Sequence, residues 1–486
     1  MAEGFPLTPM LFSHPASRRV PCAALTRTGP VGHDGHVAPA EPAEPAEPAE
    51  PAEPAENQEK IVDLSRRRFL QAAVLTAAAA GATAACGGGS ASSGAKDSKN
   101  LSLWYWSGGL SDKVVADAKK HFSDISLKTS VVGGDFKTKL LTGLRAAQSA
   151  PDITGIKGED IASFLPNADR FVDLKTVGAD KLVPQYLSWK LKQATTQDGK
   201  LIGFPIDIGP CATFYREDLF AQAGLPTDPT EVSAQLATWD DYFKAGVELH
   251  KAVPKTFLVN NIGSVFTMVV GQGTQRFIDE DGRFIGDQDH IRAAWTTAVK
   301  PYTLGIDAKI NDNTWNAAIS GGTLGTEIGA AWHALDISNA APGTKGKWRV
   351  ASLPGGPSNL GGSFLAIPAT SGNPEEAFKI ISWILGPENQ ARGFTDAALF
   401  PTAPAAYKLP ALTGGDAFFG GQKTIEIFGP AAEKIPAAYE APADAAVSAP
   451  FYSELTSIEA KGKDPDEAWK DAVAQAKQIA QRQGVK

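Results

Sequence analysis

The stretch "LWYW" sets Trp104 and Trp106 two residues apart in an extended run, so both fall on one face of a strand while Tyr105 takes the other. Trp106 stands at the strand's exit beside Ser107 and two glycines, where a flat aromatic surface can meet a ligand; core packing is the alternative for either tryptophan. Carboxylates recur at comparable places. Asp135 follows "VVGG" and can accept two hydroxyl bonds or cap the helix begun by "FKTKLL". Glu159 lies in "KGED" just past "PDITGI", as a ligand acceptor or a solvated acid. Asp207 is flanked by apolar residues in "PIDIGP" and needs a partner there, either a ligand or a structural hydrogen bond. Phe419 in "FFGGQ" offers a second stacking face or local packing. Flat rings with short charged acceptors suit a molecule that has apolar C–H faces and a rim of hydroxyls.

Other chemistries find less support. There is no G-x-S-x-G nucleophile elbow, and "GQGTQRF" and "GGTLG" lack the lysine and spacing of a phosphate loop. A glycosidase would need two carboxylates at a defined separation, which no spacing here fixes. His33 and His36 form the one close histidine pair and precede the body, so neither a metal site nor a cofactor is expected. Of Cys22, Cys86 and Cys211, only the last belongs to the body, which excludes an intrachain disulfide framework there. A net charge of −8 without a basic stripe argues against nucleic acid. Binding without catalysis is the expectation, with an exported glycosidase as the competing class.

The elements that must position these residues alternate. "NLSLWYW" reads as a strand, "DKVVADAKKHF" as a helix, "SLKTSVV" as a strand, "FKTKLLTGLRAAQ" as a helix and "PDITGI" as a third strand. That alternation predicts parallel pairing in an α/β sheet, with ligands at the carboxyl ends of the strands. "WSGG", Asp135 and "KGED" then surround one crevice. Further on, "LIGFPIDIGPCATFYREDLFAQAGLP" reads as strand, Pro-Gly crossing, strand and helix, and "TWDDYFKAGVELH" as a helix capped by Thr238. Helices are also expected over "HIRAAWTTAVKPYTLG", "NPEEAFKIISWIL" and "DPDEAWKDAVAQAKQIAQRQG".

Ahead of the body stands "SRRRFLQAAVLTAAAAGATAACGGGS" (65–90). Arginines, a short apolar run and small residues before a cysteine are the parts of a secretory signal, and the run is too short for a permanent membrane span. The order of serine, arginines, phenylalanine and leucine resembles a twin-arginine signal. "TAAC" resembles a lipoprotein cleavage site that would lipidate Cys86, departing from the usual pattern at Thr83. The repeat "AEPAEPAEPAEPAEPAE" before it has no large apolar side chain and cannot bury a core. Residues 1–61 are therefore a disordered extension or a start assigned too early, with Val62 as the alternative first codon. The signal covers 62–85, and 86–99 form a Gly/Ser-rich tether.

"FYREDLFAQAGLP" followed by "TWDDYFKAGVEL", then "GGTLGTEIGAAWHAL", "ASLPGGPSNLGGSFLAIPATSGNPEEAFKIISWIL" and "LFPTAPAAY", resemble in order the extracellular solute-binding proteins of ATP-binding-cassette sugar importers. The likeness runs from about Asn100 to the C-terminus. It implies a two-lobe periplasmic-binding-protein-like α/β fold whose hinge crossings flank a ligand cleft. Crossings would fall near Ile206–Pro210, Ser352–Pro354 and Phe400–Ala403, giving lobe 1 as 100–207 plus 353–400 and lobe 2 as 208–352 plus 401–486. It further implies ligand contacts at Trp332, matching the family's stacking tryptophan, at neighbouring His333, at Asn261 and Ser264 in "VNNIGS", and at Gly361, Gly362 and Ser363 in a close-approach loop. A lobe-packing ring, solvent exposure, local turn chemistry and an ordinary turn are the respective alternatives. The implied partners are a sugar or short oligosaccharide, with a non-sugar solute as the alternative ligand, and the permease subunits. The implied protein is a monomer lipid-anchored on the extracellular face of the membrane.

Overall fold

The computed structural model describes residues 99–486 apart from 147, 148 and 312. The leader, the signal, Cys86 and the tether as far as residue 98 lie outside the described residues. Among the described residues there are eight strands: β1 (Asn100–Tyr105), β2 (Ser126–Val131), β3 (Ile153–Lys157), β4 (Phe204–Pro205), β5 (Cys211–Arg216), β6 (Thr326–Ala330), β7 (Trp348–Ser352) and β8 (Ser363–Ala366). They form two sheets, ordered β2-β1-β3-β8-β4 and β6-β5-β7.

In the first sheet β1 pairs in parallel with β2 and β3, through crossover helices Asp112–His121 and Phe136–Arg145. The helix starts follow from side-chain caps: Ser111 accepts from the Val114 N–H and Asp135 from the Thr138 N–H. Parallel pairing does not extend across the whole sheet. β8 runs antiparallel to both β3 and β4. It re-enters this sheet after the chain has visited the other one, so no helical crossover fixes its direction. Leu103, Ile153, Phe204 and Leu365, all fully buried, centre the first lobe's core.

The second sheet is antiparallel throughout its named strands. All six residues of β5 are buried because both faces are covered. Cys211 and Tyr215 face a cluster with Phe243, Phe266 and Trp295, whereas Ala212 and Phe214 face one with Phe400, Phe419 and Phe428. Thr238 caps the helix Trp239–Ala252 as its sequence predicts. The chain beyond Phe400 packs into these same clusters through Leu412, Phe428, Val447 and Phe451. The last helix, Pro465–Arg482, buries Ala468, Ala472, Ala476 and Ala480 at four-residue spacing, a stripe small enough for the preceding helix Asp444–Lys461 to lie close.

Passage between the sheets occurs at 206–210 and at 353–362, the second longer than its sequence suggests. Ile208 bridges Phe400 and Pro210 bridges Asn359, so the crossings are laced together. Gly209 permits this closeness: a Cβ there would stand 2.0 Å from the Leu360 carbonyl oxygen. The result is an α/β fold of two lobes.

Candidate solute-binding cleft

Parallel pairing brings the carboxyl ends of β1, β2 and β3 to one edge of lobe 1. The half-buried Trp106 ring meets Phe136 edge-on at 5.2 Å and lies over Gly155 of β3, where a Cβ would come within 2.6 Å of it. The Lys157 ammonium is 5.7 Å from the ring centre. Ser107 follows in an exposed turn. Asp135 takes the capping alternative: both oxygens accept from Thr138, from its N–H at 3.1 Å and its hydroxyl at 2.6 Å. Those bonds hold its carboxyl below the usual range. Glu159 is exposed in the first turn of the helix Gly158–Phe164 and faces the space between the lobes.

At the hinge the chain gathers a buried polar group. Asp207 is 5% exposed, and burial pushes its carboxyl up to about 6, opposed by the Lys190 ammonium and by bonds from Ser363. Lys190 is fully buried above the Phe364 ring, 4.2 Å away, and burial brings it down to about 8. Gly362, at φ +88°, crosses directly over the pair: a Cβ there would lie 2.6 Å from the Asp207 carbonyl oxygen and 2.8 Å from Lys190 Nζ. Ser363 opens β8, and its carbonyl accepts from the Ile206 N–H at 2.8 Å. Half-buried Trp332 lays its ring against Gly209 and Gly361. Asn359 ties the crossings by accepting from the Gly209 N–H and donating to the Gly361 carbonyl, both at 2.9 Å.

Beside this hinge is a cavity of about 290 Å³. Lobe 1 contributes Gly158, Glu159 and Gln193; lobe 2 contributes Thr267, Arg276, Glu440, Asp444 and Tyr452; Asn359 and Gly361 close its inner end. A further cavity of about 860 Å³ shares Gln193, Glu440 and Pro442 with it and continues outward past Thr196 and Tyr439. A hydrogen-bond chain crosses from lobe to lobe beside these cavities. Lys190 donates to Gln193 Oε1 at 2.9 Å, and Gln193 Nε2 donates to Glu440 Oε1 at 3.3 Å.

The profile of the bacterial extracellular solute-binding proteins matches residues 113–419. This chain belongs to that family. It is similar to the arabinooligosaccharide-binding protein of Bacillus subtilis (strain 168), 27% identical over 328 residues that cover 61% of this chain and 71% of the relative. The solved structure of an extracellular solute-binding protein family 1 member is 29% identical, with a TM-score of 0.74, covering 78% of this chain and 99% of that one. The fold alone is shared, at 22% identity and a TM-score of 0.62, with an ABC transporter associated binding protein from B. animalis subsp. lactis Bl-04 in complex with β-1,6-galactobiose, over 80% of this chain and 99% of that one.

Sequence reasoning about this solute-binding protein missed much of lobe 2's wall. Arg276 is held by the Val270 and Gly273 carbonyls at 2.7 and 2.9 Å, with Glu440 and Asp444 opposing the downward push of burial on it. Asp444 accepts from the Phe277 and Ala441 N–H groups, and burial pushes it up to about 7. Tyr452 accepts from the Thr267 hydroxyl at 3.2 Å. Only the acid-and-tyrosine run "YEAPAD" carried a signal for this wall.

Four expected contact residues lie elsewhere. Asn261 and Ser264 are consumed at a helix start: Asn261 Oδ1 accepts from the Ser264 N–H at 2.8 Å, and Ser264 Oγ donates to Asn260 Oδ1 at 2.6 Å. Thr267 and Gly271, further along that helix, reach the cavity instead. Phe419 is fully buried, 5.9 Å from Phe214 and 5.3 Å from Phe418, so its ring packs the core and offers no stacking face. His333 turns back over Gly329 of β6 and lines a separate pocket of lobe 2.

Proposed function

We propose that this protein captures a neutral sugar or short oligosaccharide between its lobes, closes on it and presents it to an importing permease. The observation that carries the reading is the interlobe cavity itself. Its walls combine the acceptors Glu159, Glu440 and Asp444 with the Tyr452 ring and a single guanidinium, Arg276. Hydroxyls are well served by that set, while a phosphorylated ligand would want several converging cations. Trp332, packed on Gly361 at the cavity's inner end, is the proposed stacking face, with the half-buried Trp106 as the proposed lobe 1 counterpart. The oligosaccharide named for the Bacillus subtilis relative and the galactobiose bound by the structural neighbour support the same class. Capture needs no catalysis: a ligand that contacts both lobes favours the closed population. Lipidation at Cys86 would keep the body at the outer face of the membrane.

Thermal melts of the purified chain test this reading. An arabino- or galacto-oligosaccharide at about a hundred times its Kd adds about 2.7 kcal/mol of stability. Stabilisation by amino acids or phosphate esters, with none by any sugar, would overturn it.

A further inference from the structure

Gln193 and Glu440 stand at the waist of the cleft, as the two polar side chains common to its inner and outer cavities. Both are half-buried, so each keeps surface open to a solute. They come from opposite lobes, Gln193 from the end of the helix Ser188–Gln193 and Glu440 from the wall of lobe 2. The bond between them, from Gln193 Nε2 to Glu440 Oε1, is 3.3 Å. That is long against the usual separation of about 2.9–3.0 Å. A hydroxyl placed there serves both groups better, because it accepts from the amide N–H and donates to the carboxylate.

The match holds only while Gln193 presents its NH2 group to the cleft and not its carbonyl oxygen. Glu440 alone cannot enforce that choice, since it belongs to the other lobe and moves away as the lobes part. Lys190 can enforce it. It stands one turn earlier on the same helix as Gln193, is 0% exposed, and donates from Nζ to Gln193 Oε1 at 2.9 Å. An ammonium only donates, so it holds the amide oxygen inward and turns the NH2 group outward. Lys190 is itself pinned: the Phe364 ring centre lies 4.2 Å from Nζ, and a Cβ on Gly362 would come within 2.8 Å of it. The acids whose charges act on it are Asp207 of the first crossing, Glu440 of one wall and Glu159 of the other. Completely buried, Lys190 cannot touch a solute and can act on one only through Gln193. On the reading that a sugar is captured between the lobes, we propose that Gln193 and Glu440 jointly bind one of its hydroxyls, and that Lys190 is the positioning residue that keeps Gln193 turned as the donor.

A double-mutant cycle on the full chain tests the proposal, read by calorimetric titration with arabino- and galacto-oligosaccharides. Gln193→Met keeps the side chain's length without a donor, and Lys190→Met keeps the apolar stem without the ammonium. Each should weaken sugar binding at least roughly threefold. The double variant should bind no more weakly than Gln193→Met alone, because Lys190 then has nothing left to position. Gln193→Glu serves as a second variant should Lys190→Met fail to fold: it still accepts from Lys190 but replaces the donor by an acceptor, and should weaken binding at least as much as Gln193→Met. Native affinity in Gln193→Met or Gln193→Glu would overturn the shared hydroxyl. Losses that add in the double variant would overturn the positioning role and leave Lys190 a structural part of the hinge. A native chain that binds no sugar would overturn the capture reading itself, and this proposal with it.

Discussion

His333 illustrates how a single residue's surroundings redirect its role. Adjacent to Trp332 in sequence, it folds back over Gly329, so the same dipeptide serves two faces of lobe 2. Its pKa of about 4 in the fold, against 6.5 for the free side chain, follows from burial. The unfolded chain therefore binds the proton first as pH falls, and stability declines from about pH 6.5 and levels off below about pH 4. The shift corresponds to up to about 3 kcal/mol. Denaturant titrations at pH 7 and pH 4 should show a smaller acid loss in His333→Gln than in the native chain; parallel losses would mean that His333 is not protected from protonation. Gly209 makes a second residue-scale case. An alanine Cβ would meet the Leu360 carbonyl at 2.0 Å and the Trp332 ring at 2.5 Å. Overpacking of this kind costs about 1–3 kcal/mol. Gly209→Ala should accordingly lower the thermal midpoint, and an unchanged midpoint would show the crossings to be looser than drawn.

Among the elements, those with local signals were legible in the sequence. Capped helices such as Trp239–Ala252 and Pro465–Arg482, and the first three strands, begin where serine, threonine, aspartate or an apolar run announce them. What the sequence could not announce was set at a distance. β8 pairs antiparallel to β3 because the chain returns from the other lobe; Arg276 and Glu440 reach the cleft from loops without periodicity, and Asp444 from the first turn of the helix Asp444–Lys461. Phe419 beside its glycines reads as a stacking face or as local packing, and the helix Ile425–Lys434 and β5 decide for packing. Asp135 and Asn261 show the other difficulty: a carboxylate or amide at a strand end serves a helix start and a ligand with the same geometry. The helix Ser188–Gln193 gave no functional signal, although Lys190 and Gln193 on it extend the hinge to Glu440 across the lobes. Glu440→Ala removes that contact, worth about 0.5–1.5 kcal/mol. Binding should weaken roughly 2- to 10-fold, read by calorimetry; equal affinity would assign Glu440 to the solvated rim.

At the scale of the whole molecule, two lobes joined by laced crossings form a device whose output is its own shape. Closure by rotation about the hinge needs segments that tolerate backbone change while staying in register. The bridges Ile208–Phe400 and Pro210–Asn359 supply the register, and Gly209, Gly361 and Gly362 remove side chains where the strands pass. A bound sugar should therefore compact the chain, and it should do so through Trp332. The most direct measurement is a calorimetric titration of the native chain and Trp332→Ala with arabino- and galacto-oligosaccharides. Truncating a central aromatic anchor costs about 2 kcal/mol or more. The prediction is a sugar bound by the native chain with affinity at least roughly 30-fold weaker in Trp332→Ala. Sugar binding with equal affinity in both chains would contradict the placement of the ligand between the lobes against this ring.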